Sequence, residues 1–237
     1  MPFFNPRPRI ERVALANGQA CFVIDDALVE PERLVEFASA QRDAFRNVDF
    51  NAYPGIYLIA QDELSAGLNG FFAQHLRRQF DARRTLQLHC RFSMVTLSPH
   101  ALRPRQWLCH RDSGGVEPRQ SIQASILYLF KDESLGGTSF YEPACSAEEM
   151  ARLLQDSSAL SAQDFTQKYS IELGYMIGSN RYFTRIGSVP AKWNRLIFYD
   201  GTILHSGDIL SPDKLSADPG RGRLTLNGFF TSRRHAV

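Results

Sequence analysis

Residues 107–113 read Trp107-Leu108-Cys109-His110-Arg111-Asp112-Ser113, and residues 194–207 read Asn194-Arg195-Leu-Ile-Phe-Tyr-Asp200-Gly201-Thr-Ile-Leu-His205-Ser-Gly207. In an extended segment alternate side chains share a face, so His110 and Asp112 present an imidazole and a carboxylate together while Cys109 and Arg111 face away. A His-x-Asp triplet arises by chance in a chain with 6 histidines, so its surroundings decide its meaning. In the second segment a hydrophobic strand and a tight Asp200-Gly201 turn lead into a short strand ending at His205. Two histidines and one carboxylate cap one face of an octahedral ion and leave the other open, a donor set suited to non-haem Fe(II). A third stretch follows, Gly220-Arg221-Gly-Arg223-Leu-Thr225-Leu-Asn227-Gly-Phe-Phe230. By the period of two, Arg223, Thr225 and Asn227 share a strand face. A guanidinium with a neighbouring hydroxyl is a receptor for a carboxylate, because the planar fork binds both oxygens. Arg221 is the rival anchor, since a one-residue bulge would exchange the two parities.

Working outward, residues 86–97, 121–130, 138–141, 182–189, 194–200 and 224–230 are short, β-branched or aromatic, and bounded by Gly, Pro, Asp or Ser. They predict a mainly β sandwich or barrel with helices against one sheet. The first third reads as strand, helix, loop, helix. An apolar run covers 20–24, Glu30-Pro31-Glu32 opens a helix with Pro and acids in its first turn, and 62–80 carries Leu64, Leu68, Phe71, Phe72, Leu76 and Phe80 at helical spacing. Ser146 and Glu149 form a capping-box pattern ahead of a helical stretch over 146–167. It lies within an insertion, 144–180, where a lid or a homodimer contact has room to grow. With no linker or repeat in sight, the expectation is one domain over 1–237. Residues 1–85 act as N-terminal helical support and 86–237 form the β core.

Taken in order, His110-x-Asp112, the Gly136-Gly137-Thr-Ser-Phe turn, Val189-Pro190, His205 and Arg223-x-Thr225 resemble the 2-oxoglutarate/Fe(II)-dependent oxygenase superfamily, in its prolyl-hydroxylase-like branch. The likeness runs from about residue 20 to the C-terminus and includes the entry segment Cys21-Phe-Val-Ile-Asp-Asp-Ala-Leu28. It implies a double-stranded β-helix, a cupin-like jelly roll. It implies Fe(II) held by His110, Asp112 and His205, and 2-oxoglutarate held at its distal carboxylate by Arg223 with Thr225. Dioxygen and a small-molecule or peptidyl substrate are the implied reactants, and hydroxylation the implied reaction. The chain departs from the branch in three ways. The anchor is arginine where lysine is common, and 95 residues separate His110 from His205, a gap the insertion explains. A tyrosine often found before His-x-Asp is missing, where the stretch reads Arg91-Phe-Ser-Met-Val95. Tyr128 on the following strand is the candidate to supply its hydroxyl. Asp112 argues against a halogenase, which needs a small residue there. Two other readings remain: a cupin-like metalloprotein that needs no buried arginine, and a jelly roll that binds a ligand without catalysis.

Composition bounds the rest. The net charge of +2 arises from 27 Lys+Arg, only four of them lysine, against 25 Asp+Glu, and gives no footprint for nonspecific nucleic-acid binding. A 43% hydrophobic content argues against disorder. No apolar run approaches the ~18–20 residues of a membrane span, and the first ten residues lack a signal-like apolar stretch. The four cysteines are scattered, which suggests free thiols in a reducing compartment, so a cytoplasmic protein is expected. His75, His89, His100 and His235 have no partner pattern. Trp107 and Trp193 flank the site strands, and packing at the mouth of the site and packing in the core explain them equally well.

Overall fold

The Arg223–Phe230 alternation becomes the centre of a sheet. The computed structural model describes residues 4–48, 52–112 and 117–235. Its strands are β1 (Ile10–Ala14), β2 (Ala20–Ile24), β3 (Arg46–Asn47), β4 (Gly55–Ile59), β5 (Arg84–Val95), β6 (Gln120–Tyr128), β7 (Thr138–Pro143), β8 (Phe183–Val189), β9 (Leu196–Asp200), β10 (Leu204–Gly207) and β11 (Arg223–Arg233). The helices are α1 (Glu32–Ala40), α2 (Asp62–His75), α3 (Ala147–Ala159) and α4 (Ala162–Tyr169).

The larger sheet runs β1-β2-β9-β6-β11-β5-β4-β3 and the smaller β10-β7-β8. Their strand pairs are antiparallel. His110 adds a rung to the smaller sheet at β10, where His110 and His205 exchange both backbone hydrogen bonds at 2.9 Å. From β5 onward the chain passes back and forth between the sheets: the His110 rung, then β6, then β7 and β8, then β9, β10 and β11. That winding is a double-stranded β-helix, a mainly β fold with flanking helices. Among the described residues no helix is long and apolar enough to cross a membrane.

The period of two sorts the large sheet into two faces. Leu224, Leu226 and Phe230 of β11, with Phe92 and Met94 of β5, pack against Leu64, Leu68 and Phe72 of α2. The opposite face, carrying Tyr128, Ala124, Ile197 and Tyr199, closes on Phe140, Ile186 and Val189 of the smaller sheet. A third cluster joins α3 and α4, through Leu153 and Phe165, to Trp107, Leu108, Cys109, Tyr141 and Phe183. Ser146 and Glu149 do form a reciprocal capping box at α3. The insertion thus lies folded against the segment that delivers His110.

Two readings of the first third need correction. Its described residues hold four strands, because β1, β3 and β4 extend the large sheet, so this segment is more than helical support. The expected 62–80 helix ends at His75. A separate 3-10 turn, Arg77–Phe80, follows and closes on Asp81 at φ 45°, which lets Phe80 turn its ring edge-on to Phe22 at 5.1 Å.

Candidate metal and carboxylate site

His110, Asp112 and His205 come together in the space between the sheets, with one ligand atom from each lying within 4.8 Å of the others. His110 is held by the rung to His205. Asp112 follows it in irregular chain, not in a regular strand, and its backbone N–H donates to the Gly201 carbonyl at 2.9 Å. Gly201 is needed there: a Cβ would meet Ile122 Cγ2 at 2.5 Å. His205 Nε2 lies 3.4 Å from Asp112 Oδ2, and His110 Nε2 lies 3.7 Å from Asp112 Oδ1.

Hydrogen bonding selects the tautomer of His205. Its Nδ1 sits 3.0 Å from the Ile203 carbonyl, which only accepts, so Nδ1 carries the proton and Nε2 offers its lone pair inward. The Tyr199 ring, edge-on at 4.8 Å, fixes the imidazole's tilt. Burial pushes the His205 pKa down to about 4. His110 moves in the same direction through desolvation and the adjacent His205, although 52% of its side-chain surface is open at the rim. Burial raises Asp112 to about 6, with His110 and Arg91 pulling the other way. Asp112 Oδ2 has no hydrogen-bond partner among the described residues. Neutral imidazoles beside a buried, orphaned carboxylate are poor company for each other but good company for a divalent cation, which satisfies all three. The residues fit a metal of the Fe(II) type.

Across the interior, β11 presents Arg223 and Thr225, paired in register with Val95 and Ser93 of β5. Arg223 is 4% exposed, whereas Arg221 is exposed, so of the two rival arginines it is Arg223 that is buried in the interior. The Arg223 Nε–H donates to the Leu135 and Gly136 carbonyls, both at 3.1 Å, and Nη2 donates to the Gly137 carbonyl at 2.9 Å. The Gly136-Gly137 turn is therefore the bracket that holds the arginine. Gly136 adopts φ +85°, and a Cβ on it would sit on the Asp208 carbonyl. A guanidinium has five N–H donors, so this bracket leaves several for a ligand. Among the described residues no carboxylate forms an ion pair with Arg223, although Asp208 lies near enough to feel its charge.

Tyr128 is buried beneath this guanidinium, 6.0 Å from ring centre to Arg223 Cζ. Its hydroxyl shares a 2.9 Å hydrogen bond with Thr138. The Thr225 hydroxyl donates to the Ser93 carbonyl at 3.2 Å, so toward an incoming carboxylate it must first turn. Sequence reading passed over Tyr53. Its hydroxyl lies by Ser93 and Thr225 and feels Arg223 and Arg91, while burial pushes its pKa up to about 12. It comes from the loop ahead of β4, where no pattern marks it. Trp107 and Cys109 are core residues, 2% exposed each.

The chain belongs to the family of unknown function DUF6445, whose model matches residues 6–230. No curated protein matches it by sequence. Among solved structures it is similar to a Pseudomonas putida prolyl-4-hydroxylase (13% identity, 96% of this chain and 93% of that one, TM-score 0.45). It is also similar to SnoK, a non-haem α-ketoglutarate-dependent carbocyclase from nogalamycin biosynthesis (13%, 92% and 81%, 0.49). A third is HygX from Streptomyces hygroscopicus with nickel and 2-oxoglutarate bound (11%, 92% and 84%, 0.48).

Proposed function

We propose that the protein is a non-haem Fe(II)- and 2-oxoglutarate-dependent oxygenase that hydroxylates a small-molecule or peptidyl substrate. The observation that carries this reading is the pairing of two incomplete sites in one interior. An orphaned His-Asp-His set lies in and beside the smaller sheet, and a buried arginine that forms no ion pair with a carboxylate among the described residues projects from β11. A molecule that both chelates a metal and ends in a distal carboxylate completes both at once.

In this reading His110, Asp112 and His205 hold iron. Iron bound there with 2-oxoglutarate supplies the oxidation of a substrate C–H bond by dioxygen, with release of succinate and CO2. The chain's own residues supply position. Arg223, immobilised on the Gly136-Gly137 turn, receives the distal carboxylate with a geometry set before binding, and Thr225 and Tyr53 offer hydroxyls beside it. The Ile203 carbonyl keeps His205 in its metal-binding tautomer. Tyr128, Phe140 and Tyr199 keep the floor of the site dry.

The test is anaerobic reconstitution with Fe(II), followed by 2-oxoglutarate and a visible absorption scan. A metal-to-ligand charge-transfer band is expected in wild type. It is expected to vanish in Asp112→Ala and to require far more 2-oxoglutarate in Arg223→Ala. Wild type without a band refutes the proposal. A band that survives Arg223→Ala and is lost in Arg221→Ala moves the anchor.

A further inference from the structure

The inner face of β11 continues past the metal set to a pair of arginines that nothing in the proposed site uses. Arg223, Thr225, Asn227, Phe229, Thr231 and Arg233 share that side of the strand. In register on β6, Thr231 stands beside Ile122 and Arg233 beside Gln120. The Ile122 row reaches the metal set: its carbonyl accepts from the Gly201 N–H at 3.0 Å, and the Gly201 carbonyl accepts from the Asp112 N–H at 2.9 Å. Arg233 therefore lies one row, about 7 Å, outward from the row that positions Asp112.

A β-bulge brings a second arginine to it. On β5, Gln87 faces Thr231, but Thr85 faces Ser232 and Arg84 faces Arg233, because Leu86 is left over. A regular ladder would put Thr85 opposite Arg233 instead. Like charges directly opposite each other on a sheet repel, and bulges gather beside functional sites because they re-aim a side chain. Both arginines are exposed, and among the described residues neither enters an ion pair or a side-chain hydrogen bond. Three more exposed arginines meet at this end, where the Arg83 N–H donates to the Arg233 carbonyl at 2.7 Å and the Arg234 N–H to the Arg119 carbonyl at 2.9 Å. The acids beside them are Asp81, which pairs with Arg234 at 3.4 Å, and Glu117, which is exposed and in no ion pair among the described residues. The net charge of +2 thus conceals a local excess of arginine at the outer end of the site.

We infer that Arg84 and Arg233 form a substrate subsite for the phosphate of a phosphomonoester, an inference that rests on the function proposed above. Two guanidinium forks on neighbouring strands, with Cβ atoms about 5 Å apart, can share the three terminal oxygens and the two charges of such a dianion. A carboxylate's two oxygens would be filled by one fork. With the phosphate held there, the body of the substrate lies over Thr231 and Phe229, both half-buried. Its far end then reaches the open rim of the triad at His110, whose side chain is 52% exposed.

The test uses protein loaded with Mn(II) and 2-oxoglutarate under argon, so that nothing turns over. Isothermal titration calorimetry takes phenyl phosphate, phenyl sulfate, phenol and oligothymidylate as probes. Phenyl phosphate is expected to bind, phenyl sulfate more weakly, and phenol not measurably. Arg84→Gln and Arg233→Gln are each expected to weaken phenyl phosphate about tenfold. Arg83→Gln, beside the pair but on the opposite face, should change it by no more than about twofold. Phosphorus NMR then reads the relaxation of the bound phosphate by Mn(II). It is expected to report a separation of about 8–15 Å, the row spacing plus the reach of the arginines, and to lose the effect in His205→Ala. Should a variant misfold, the wild-type order of phosphate, sulfate and phenol still decides, and equal binding of all three overturns the inference. It is also overturned if Arg83→Gln weakens binding as much as the other two, or if oligothymidylate binds more tightly through the same arginines. A phosphate at bonding distance from the ion, or one that feels no ion while Mn(II) is bound, overturns it as well. If Mn(II) itself fails to bind, the proposed function falls. Calorimetry on the metal-free protein then decides the subsite separately: binding that depends on Arg84 and Arg233 supports it, and no such binding overturns it.

Discussion

Replacing Asp112 by asparagine should make the metal-free protein more stable at neutral pH while destroying its metal site. The Asp112 side chain is 7% exposed, and burial raises its pKa from the ordinary 3.8 to about 6. The unfolded chain ionises it without cost, so the folded state loses stability as pH rises from 3.8 toward 6. Two pH units at 1.36 kcal/mol each set the ionised carboxylate's penalty at about 3 kcal/mol above pH 6. Asparagine removes the charge but keeps an amide to satisfy, so the net gain at pH 7.5 should be about 1–3 kcal/mol. His110 and His205 work in the opposite sense. Their folded pKa values are lowered from 6.5 to about 4, so their contribution is complete above pH 6.5 and lost as pH falls toward 4. The wild-type profile alone is therefore a mixture, and the difference between variant and wild type isolates Asp112. Urea unfolding of EDTA-treated protein at pH 7.5 and pH 5 measures it. The gap should shrink by about half at pH 5. A variant no more stable than wild type at pH 7.5 refutes the idea that this carboxylate waits, buried and unpaired, for a cation.

Three further outcomes follow from particular contacts. Asn194 sits at φ 59° and clamps Leu28 through both its backbone N–H and carbonyl, at 2.9 and 3.0 Å. Asn194→Gly should cost about 2–3 kcal/mol for the lost buried hydrogen bonds, and Asn194→Ala about 1 kcal/mol more for the left-handed backbone; equal losses in urea melts would contradict this. Phe165, fully buried against Trp107 with ring centres 5.8 Å apart, ties the insertion to the His110 segment. Phe165→Ala should cost about 3–5 kcal/mol and also weaken Mn(II) binding; unchanged metal affinity would show the insertion to be mechanically separate. Arg223→Lys keeps the charge but loses the fork held by Gly136 and Gly137. Calorimetry should show 2-oxoglutarate binding weakened about tenfold or more, and full affinity in the lysine variant would rule out the bracketed fork.

The core strands were legible because burial imposes a strict parity. Arg223, Thr225 and Asn227 alternate with Leu224 and Leu226, and that alternation alone separated Arg223 from its neighbour Arg221. The strands β1 and β4 were missed although each carried a signal: Asn17-Gly18, with Gly18 at φ 82°, turns β1 into β2, and Pro54-Gly55 introduces β4. Both lie toward the edge of the sheet, where half-exposed, mixed faces such as Ile-Glu-Arg-Val mask the pattern. Tyr53 is a loop residue placed by tertiary contacts alone.

The central claim, that the triad and Arg223 complete one site, is tested most directly by Mn(II) titration followed by electron paramagnetic resonance, with and without 2-oxoglutarate. The prediction is one bound ion per chain, held about tenfold or more tightly when 2-oxoglutarate is present, with the tightening lost in Arg223→Ala and the ion lost in His205→Ala. Absence of a saturable ion, or tightening indifferent to Arg223, would contradict the account.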